Sequence, residues 1–238
     1  MGRVLVGTSS WSGHHPFYPP GTRSADQLPF YATRFPVVEV NTTYYGVPIQ
    51  TTVQGWADRT PDDFIFDVKP PRELTSTPES PGGDPPEPDA DLASTFLDAL
   101  QPLVTARKLG ALTFQFPPSY RNTEEHREYL QILPELFPDI PIAVEFRRRD
   151  WLDADHADAT LALLENAGLS YTLVDEPQRG TGSVPPVFGV TAPSLALIRF
   201  HGRNAAHWYS FSGSSKGRFD WYYQPEELQE WIPRIRRA

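Results

Sequence analysis

The sequence predicts a mainly parallel α/β fold, a TIM-type (β/α) barrel, on three observations. Short apolar runs rich in β-branched and aromatic residues alternate with helically spaced segments along the whole chain. Each run from the second to the seventh ends in a polar or charged cluster, as strand C-termini sharing one site would. No Gly-x-Gly-x-x-Gly or Gly-x-x-x-x-Gly-Lys-Ser/Thr loop follows any run, so the phosphate-binding markers of doubly wound folds are missing.

Taken in order, the runs are Val4–Val6, Val37–Val40, Phe64–Val68, Ala111–Phe116, Ile142–Phe146, Tyr171–Val174 and Leu195–Phe200, giving seven expected strands. Helical spacing between them is clearest in "DLASTFLDALQPLV", "TEEHREYLQILPELF" and "HADATLALLENAG", the last closing on Gly168 as a helix C-cap does. The length fits two small domains or one large one and does not choose between them; the strand–helix alternation over the whole chain leads to residues 1–238 being expected as one barrel domain. The 26 prolines punctuate the chain: Pro70, Pro71, Pro117 and Pro118 follow apolar runs, and a proline-rich loop is expected at 75–91.

Hydrophobic residues at 39% supply a core, and with 13% aromatics the net charge of -9 does not make this a disordered acidic chain. The absence of cysteine excludes disulfides, thiolate metal sites and a cysteine nucleophile. There is no apolar run of about 18 residues, and "MGRVLVGTSSW" is too poor in apolar residues for a signal-peptide core. A cytoplasmic protein with no membrane partner is expected. The acidic balance weighs against nucleic acid as the main partner, although a local basic patch can override the total.

Side chains two apart on a strand share a face. In five runs one set is wholly apolar, for example Val38 and Val40, or Ile142, Val144 and Phe146. The other set turns polar toward the C-terminal end. With the apolar faces against helices, Glu39, Asp67, Gln115, Glu145 and Arg199 are expected in one interior layer, with Asn41, Lys69, Arg147 and His201 one step higher at the mouth. Asp175 is expected to join them from the sixth strand, although "SYTLVD" is ambiguous in phase. Unpaired buried charges cost several kcal/mol, and even paired ones seldom improve on apolar packing, so a whole layer of them points to function.

The motifs "VGTSSW", "VEVNTTYYGVP", "FDVKPPRELT", "LGALTFQFPPSY", "IAVEFRRRDWL", "RFHGRN" and "FDWYYQPEEL", spanning about Val4 to Leu228, resemble the DUF72 (YecE-like) family in the family's order. The resemblance implies a TIM barrel of uncharacterised function, with a suggested structural relation to endonuclease-IV-like barrels and nucleic-acid binding. Two departures stand out. Family members commonly carry Thr-His after the third strand, where this chain has Thr75 and Ser76. They also continue into an eighth strand and a closing helix, so this barrel is expected to lack both at its C-terminus.

Several chemistries suit the strand-end set. Glycoside hydrolysis needs two carboxyl groups with one protonated, and Glu145 with Glu39 or Asp67 supplies the pair, but the neighbouring cations favour ionisation of both. A divalent metal needs converging ligands, and only one of the six histidines, His201, ends a strand. No metal and no cofactor are therefore expected. Nucleic acid would want a basic aromatic rim, for which Arg147, Arg148, Arg149, Trp151 and Trp221 are candidates. The leading reading is a metal-independent enzyme or binding protein for a small polar, anionic ligand. Lys69 and Arg199 would hold the anion, Glu145 or Glu39 would act as general base, and His201 as proton carrier. Asn41, Tyr44, Gln115, Arg147, Asp175 and Trp11 complete the expected ligand contacts. The glycine-serine stretch "SFSGSSKGRF" is expected to cover the mouth. An unclosed barrel edge would invite self-association; the sequence leaves the oligomeric state open.

Overall fold

Seven parallel strands lie side by side in chain order: β1 (Gly7–Ser9), β2 (Val37–Val40), β3 (Ile65–Val68), β4 (Leu109–Gln115), β5 (Ile142–Glu145), β6 (Ser170–Asp175) and β7 (Leu197–Phe200). This is a computed structural model, and it describes residues 2–76, 84–209 and 217–238. Parallel neighbours need crossovers. Five of them carry a helix: α1 (Ser24–Ala32), α2 (Gln50–Asp58), α3 (Ala90–Thr105), α4 (Glu124–Leu136) and α5 (Ala157–Asn166). The link from β6 to β7 carries none, and two short helices, α6 (Pro225–Gln229) and α7 (Ile232–Arg237), follow β7. The sheet curls until Arg199 on β7 reaches Ser9 and Glu39 on the first two strands. Among the described residues β1 and β7 do not pair with each other, so the fold is a TIM-type barrel lacking one strand.

Strand parity explains the core. Val38, Val40, Phe66, Val68, Leu112, Phe114, Ile142 and Val144 are all buried, packed beneath helix residues such as Leu28, Tyr31, Val53, Phe96, Leu100 and Leu130. Their partners in sequence face the barrel interior. On β2 and β3 these inward residues are only half-buried, because the interior opens to solvent along the gap between β1 and β7. The helix ends follow local chemistry. The Asp89 side chain accepts the Leu92 amide at 2.8 Å and starts α3, and Gly168, at φ 69°, terminates α5 in the left-handed region that glycine tolerates. Part of the proline-rich loop expected at 75–91 lies outside the described residues.

Two expectations are corrected by register. The first strand is Gly7–Ser9, not Val4–Val6: Gly7 pairs with Val37, and Val4 and Val6 are 67% and 63% exposed beyond the paired segment. Its glycine is demanded by the close approach, since a Cβ there would stand 2.0 Å from the Val37 carbonyl oxygen. The sixth strand takes the phase that turns Asp175 away from the interior. It aligns with Phe200, while Val174 aligns with Arg199. Asp175 therefore accepts Arg203 and the Trp231 indole N–H (3.0 Å), tying the C-terminal helices to the barrel.

Candidate ligand site at the barrel mouth

The strand C-termini converge on one connected set of charges. Ladder register sets Ser9, Glu39 and Asp67 at one level and Gln115 beside Glu145 at another. Long side chains bridge the levels. Arg199 donates to Glu39 at 2.8 Å and also to Glu145, and Lys69 donates to Gln115 Oε1 at 2.5 Å. Gln115 in turn donates to Glu145 Oε1 at 2.7 Å.

Glu145 is the hub. Besides Arg199 and Gln115, it accepts Arg147 at 3.1 Å and His201 Nε2 at 2.9 Å, and its side chain is only 3% exposed. Burial alone would raise its pKa, but Arg199, His201 and Arg147 together hold it well below the usual carboxylate range. A carboxylate so saturated is a poor proton donor and a weak base. His201 shows the opposite balance: burial outweighs Glu145 and lowers its pKa, which favours a neutral ring with the proton on Nε2 and an accepting Nδ1.

Two other carboxyls are raised until they titrate near neutrality. Burial, reinforced by Glu39, pushes Asp67 up to about 7. Its packing is tight, for a Cβ on Gly110 of β4 would fall 2.5 Å from Asp67 Oδ1, so only glycine fits there. Glu176 is a site residue that sequence reasoning missed. One oxygen accepts the Val184 amide at 2.8 Å, the other faces Arg147 at 3.4 Å, and burial raises its pKa to about 7. The sequence of β6 carries no phase of its own; the register that sets Val174 beside Arg199 turns Thr172 and Val174 inward, and Glu176 follows them.

A cavity of about 1220 Å³ opens beside this network and runs down between β1 and β7. Of the expected site residues, Glu39, Asn41, Tyr44, Lys69, Gln115, Arg199 and His201 line it. Glu145 and Arg147 lie beneath, with Arg147 covered by the Trp208 ring at 5.1 Å. Asp175 is directed outward as described, and Trp11 packs edge-on against Trp56 at 5.8 Å. The remaining arginines of "FRRRDW" are occupied by protein: Arg148 by Asp150 at 2.7 Å, Arg149 by the Gly180 carbonyl and Gln178. Residues 210–216 of the expected mouth-covering stretch lie outside the described residues; Phe219 and Trp221 beyond them line the cavity. Among the described residues no three His, Asp or Glu side chains gather as a metal-ligand set. No helix among them is long and apolar enough to cross a membrane.

Fold and site together define a parallel-barrel protein with a charged, open mouth at its strand C-termini, where such barrels place their sites. The chain belongs to the DUF72 family: the model of that family, described as "Protein of unknown function DUF72", matches residues 5–238. It is similar to the UPF0759 protein YunF of Bacillus subtilis, 32% identical over 231 residues, covering 96% of this chain and 81% of YunF. It is also similar to the UPF0759 protein YecE of Escherichia coli K12, at 28% identity over 84% of this chain and 74% of YecE. A crystal structure of a DUF72 family protein from Enterococcus faecalis V583 superposes with a TM-score of 0.85 at 30% identity, over 98% of this chain and 83% of that one. One from Thermotoga maritima gives 0.80 at 32% identity, over 98% of this chain and 86% of that one.

Proposed function

We propose that the mouth pocket binds a small anionic, polar molecule, and that the protein is a metal-independent enzyme or binding protein for it. One observation carries the reading. Lys69 has no carboxylate within 4.0 Å among the described residues, whereas Arg199 and Arg147 are paired with Glu39, Glu145 and Glu176. The ammonium is held by the Gln115 amide oxygen and the face of Tyr44, 5.0 Å away, and it lines the cavity. Arg199 and Arg147 are met by carboxylate partners, and Lys69 faces the cavity without one among the described residues. A small anion supplies that partner with charge-assisted hydrogen bonds. Asn41 and His201 offer the polar contacts that set its orientation.

Exposed Tyr45 and Trp221 at the rim favour a second reading, single-stranded nucleic acid stacked on aromatics. The internal pairing of Arg147, Arg148 and Arg149 weakens it, since those side chains are not available to phosphates. The readings separate in titration calorimetry with oxalate, phosphate and L-lactate, alongside an unlabelled oligonucleotide. Lys69→Met is expected to weaken binding of the preferred small anion roughly ten- to hundredfold, the worth of one hydrogen bond to a charged group. Equal affinity in the variant, or binding confined to the oligonucleotide and falling steeply with salt, contradicts the proposal.

A further inference from the structure

We propose that Lys69 is a covalent nucleophile, and that the pocket takes a small carbonyl compound carrying an anionic group, such as a 2-oxo acid, as an imine on its Nζ. The inference rests on the anion-binding reading above and names the substrate class.

Residue choice is the first observation. Three of the 21 basic residues are lysine, at positions 69, 108 and 216, and eighteen are arginine. For holding an anion, the forked and permanently charged arginine serves at least as well. What lysine adds is an amine that can lose its proton and attack carbon. The second observation is the setting of each lysine. Lys108 is buried and consumed by structure, donating to the Ala57 and Thr60 carbonyls at 2.6 and 2.8 Å, away from the cavity. Lys216 lies outside the described residues. Lys69 faces the cavity with one acceptor and one ring face, and with no carboxylate contact to pin it as an ammonium.

The surroundings push the same way. Burial, then the neighbouring Arg199, lower the pKa of the Lys69 ammonium; Glu39 and Glu145 oppose the shift but are themselves paired with Arg199. A larger share of free amine at neutral pH follows.

The chemistry balances without an oxidant or reductant. The Nζ lone pair adds to the carbonyl carbon as the C=O π pair moves to oxygen, and a proton passes from nitrogen to that oxygen to give the carbinolamine. The C–O bond then breaks as nitrogen forms C=N, and the hydroxyl leaves as water with a proton from the Asp67 carboxyl, which lines the same cavity and, raised to about 7, keeps a protonated share at neutral pH. Amine, carbonyl and one proton become iminium and water. The iminium keeps the positive charge at the same atom, so the attraction for the anionic group survives the reaction.

The test is reductive trapping of the whole protein with pyruvate and sodium cyanoborohydride at neutral pH, read by intact mass and peptide mapping. Acetone serves as a neutral carbonyl, and L-lactate as an anion without one. A single reduced pyruvate adduct is expected at Lys69, ahead of Lys216 and the N-terminal amine, slower with acetone, suppressed by lactate and lost in Lys69→Arg. No adduct in the wild type, or the same adduct pattern in Lys69→Arg, overturns the proposal. If lactate binds in calorimetry while trapping fails, the imine falls and the anion site stands. If acetone and pyruvate label Lys69 equally and lactate has no effect, the imine stands and the anion reading falls.

Discussion

Glu145→Gln is expected to destabilise the fold by about 3–5 kcal/mol, the usual consequence of removing one partner from a buried ion network. For a domain of this size that lowers the unfolding midpoint by roughly 6–20 °C. The reason is the number of donors that converge on the carboxylate: Arg199, Arg147, His201 and Gln115. A glutamine offers one acceptor oxygen and turns an N–H toward the guanidinium groups of Arg147 and Arg199, which can only donate. The loss also has a pH signature. Because the folded carboxyl lies well below its ordinary value of 4.5, its contribution is complete above that pH and disappears as pH falls through the folded value. The stability gap between wild type and variant, measured by urea denaturation, is therefore expected to be constant at neutral pH and to close in acid. Unchanged or increased stability in the variant contradicts this and makes Glu145 a strained carboxylate kept for chemistry.

Asp67→Asn is expected to act in the opposite sense. Raised to about 7 from an ordinary 3.8, the Asp67 carboxyl binds its proton more tightly in the folded chain than in the unfolded one. Between those values the folded state holds more protons, so stability falls as pH rises through the window, and the full cost is present above it. The span corresponds to roughly 2–4 kcal/mol once partial solvent access is allowed for. The asparagine variant removes that term. It is expected to be more stable than wild type by this amount at pH 8 and to match it at about pH 4, in denaturation curves taken at both pH values. A variant less stable at pH 8 contradicts the assignment, because it means the ionised carboxylate has a partner it depends on.

The opposite behaviour of two inward carboxylates, Asp67 on β3 and Glu145 on β5, shows what was legible in the sequence. Alternation placed Glu39, Asp67, Gln115, Glu145 and Arg199 on inward faces, and the structure finds each of them there. Alternation works where one face is apolar and the other mixed, as on β2, β3 and β5. It carries no phase on β6, where all six residues are buried, and Asp175 was accordingly assigned the mouth position that Glu176 approaches. At β1 the apolar Val4 and Val6 suggested a strand three residues too early, because a pattern of three residues cannot tell a paired edge from an exposed one.

What sequence spacing could not reveal is convergence. Glu145 reads as a catalytic carboxylate when only its own strand is considered, yet donors from β4, β7 and the segments after β5 and β7 fill its acceptor positions. Lys69 reads as one cation among several, and its distinction, the lack of a carboxylate partner, is a property of space. Trp11 was expected at the ligand because it follows β1. It packs on Trp56 instead, as aromatic residues in barrel loops often do where they hold one loop against another.

The central claim is that Lys69, facing the cavity without a carboxylate partner among the described residues, makes the barrel mouth an anion site. Its most direct test is a crystal structure of the protein soaked in bromide, with anomalous differences collected at the bromine edge. An anomalous peak is expected within hydrogen-bond reach of Lys69 Nζ, inside the cavity lined by Tyr44, Gln115 and Arg199, and is expected to be lost in crystals of Lys69→Met. Peaks confined to surface arginines, with the mouth free of bromide in the wild-type protein, would contradict it.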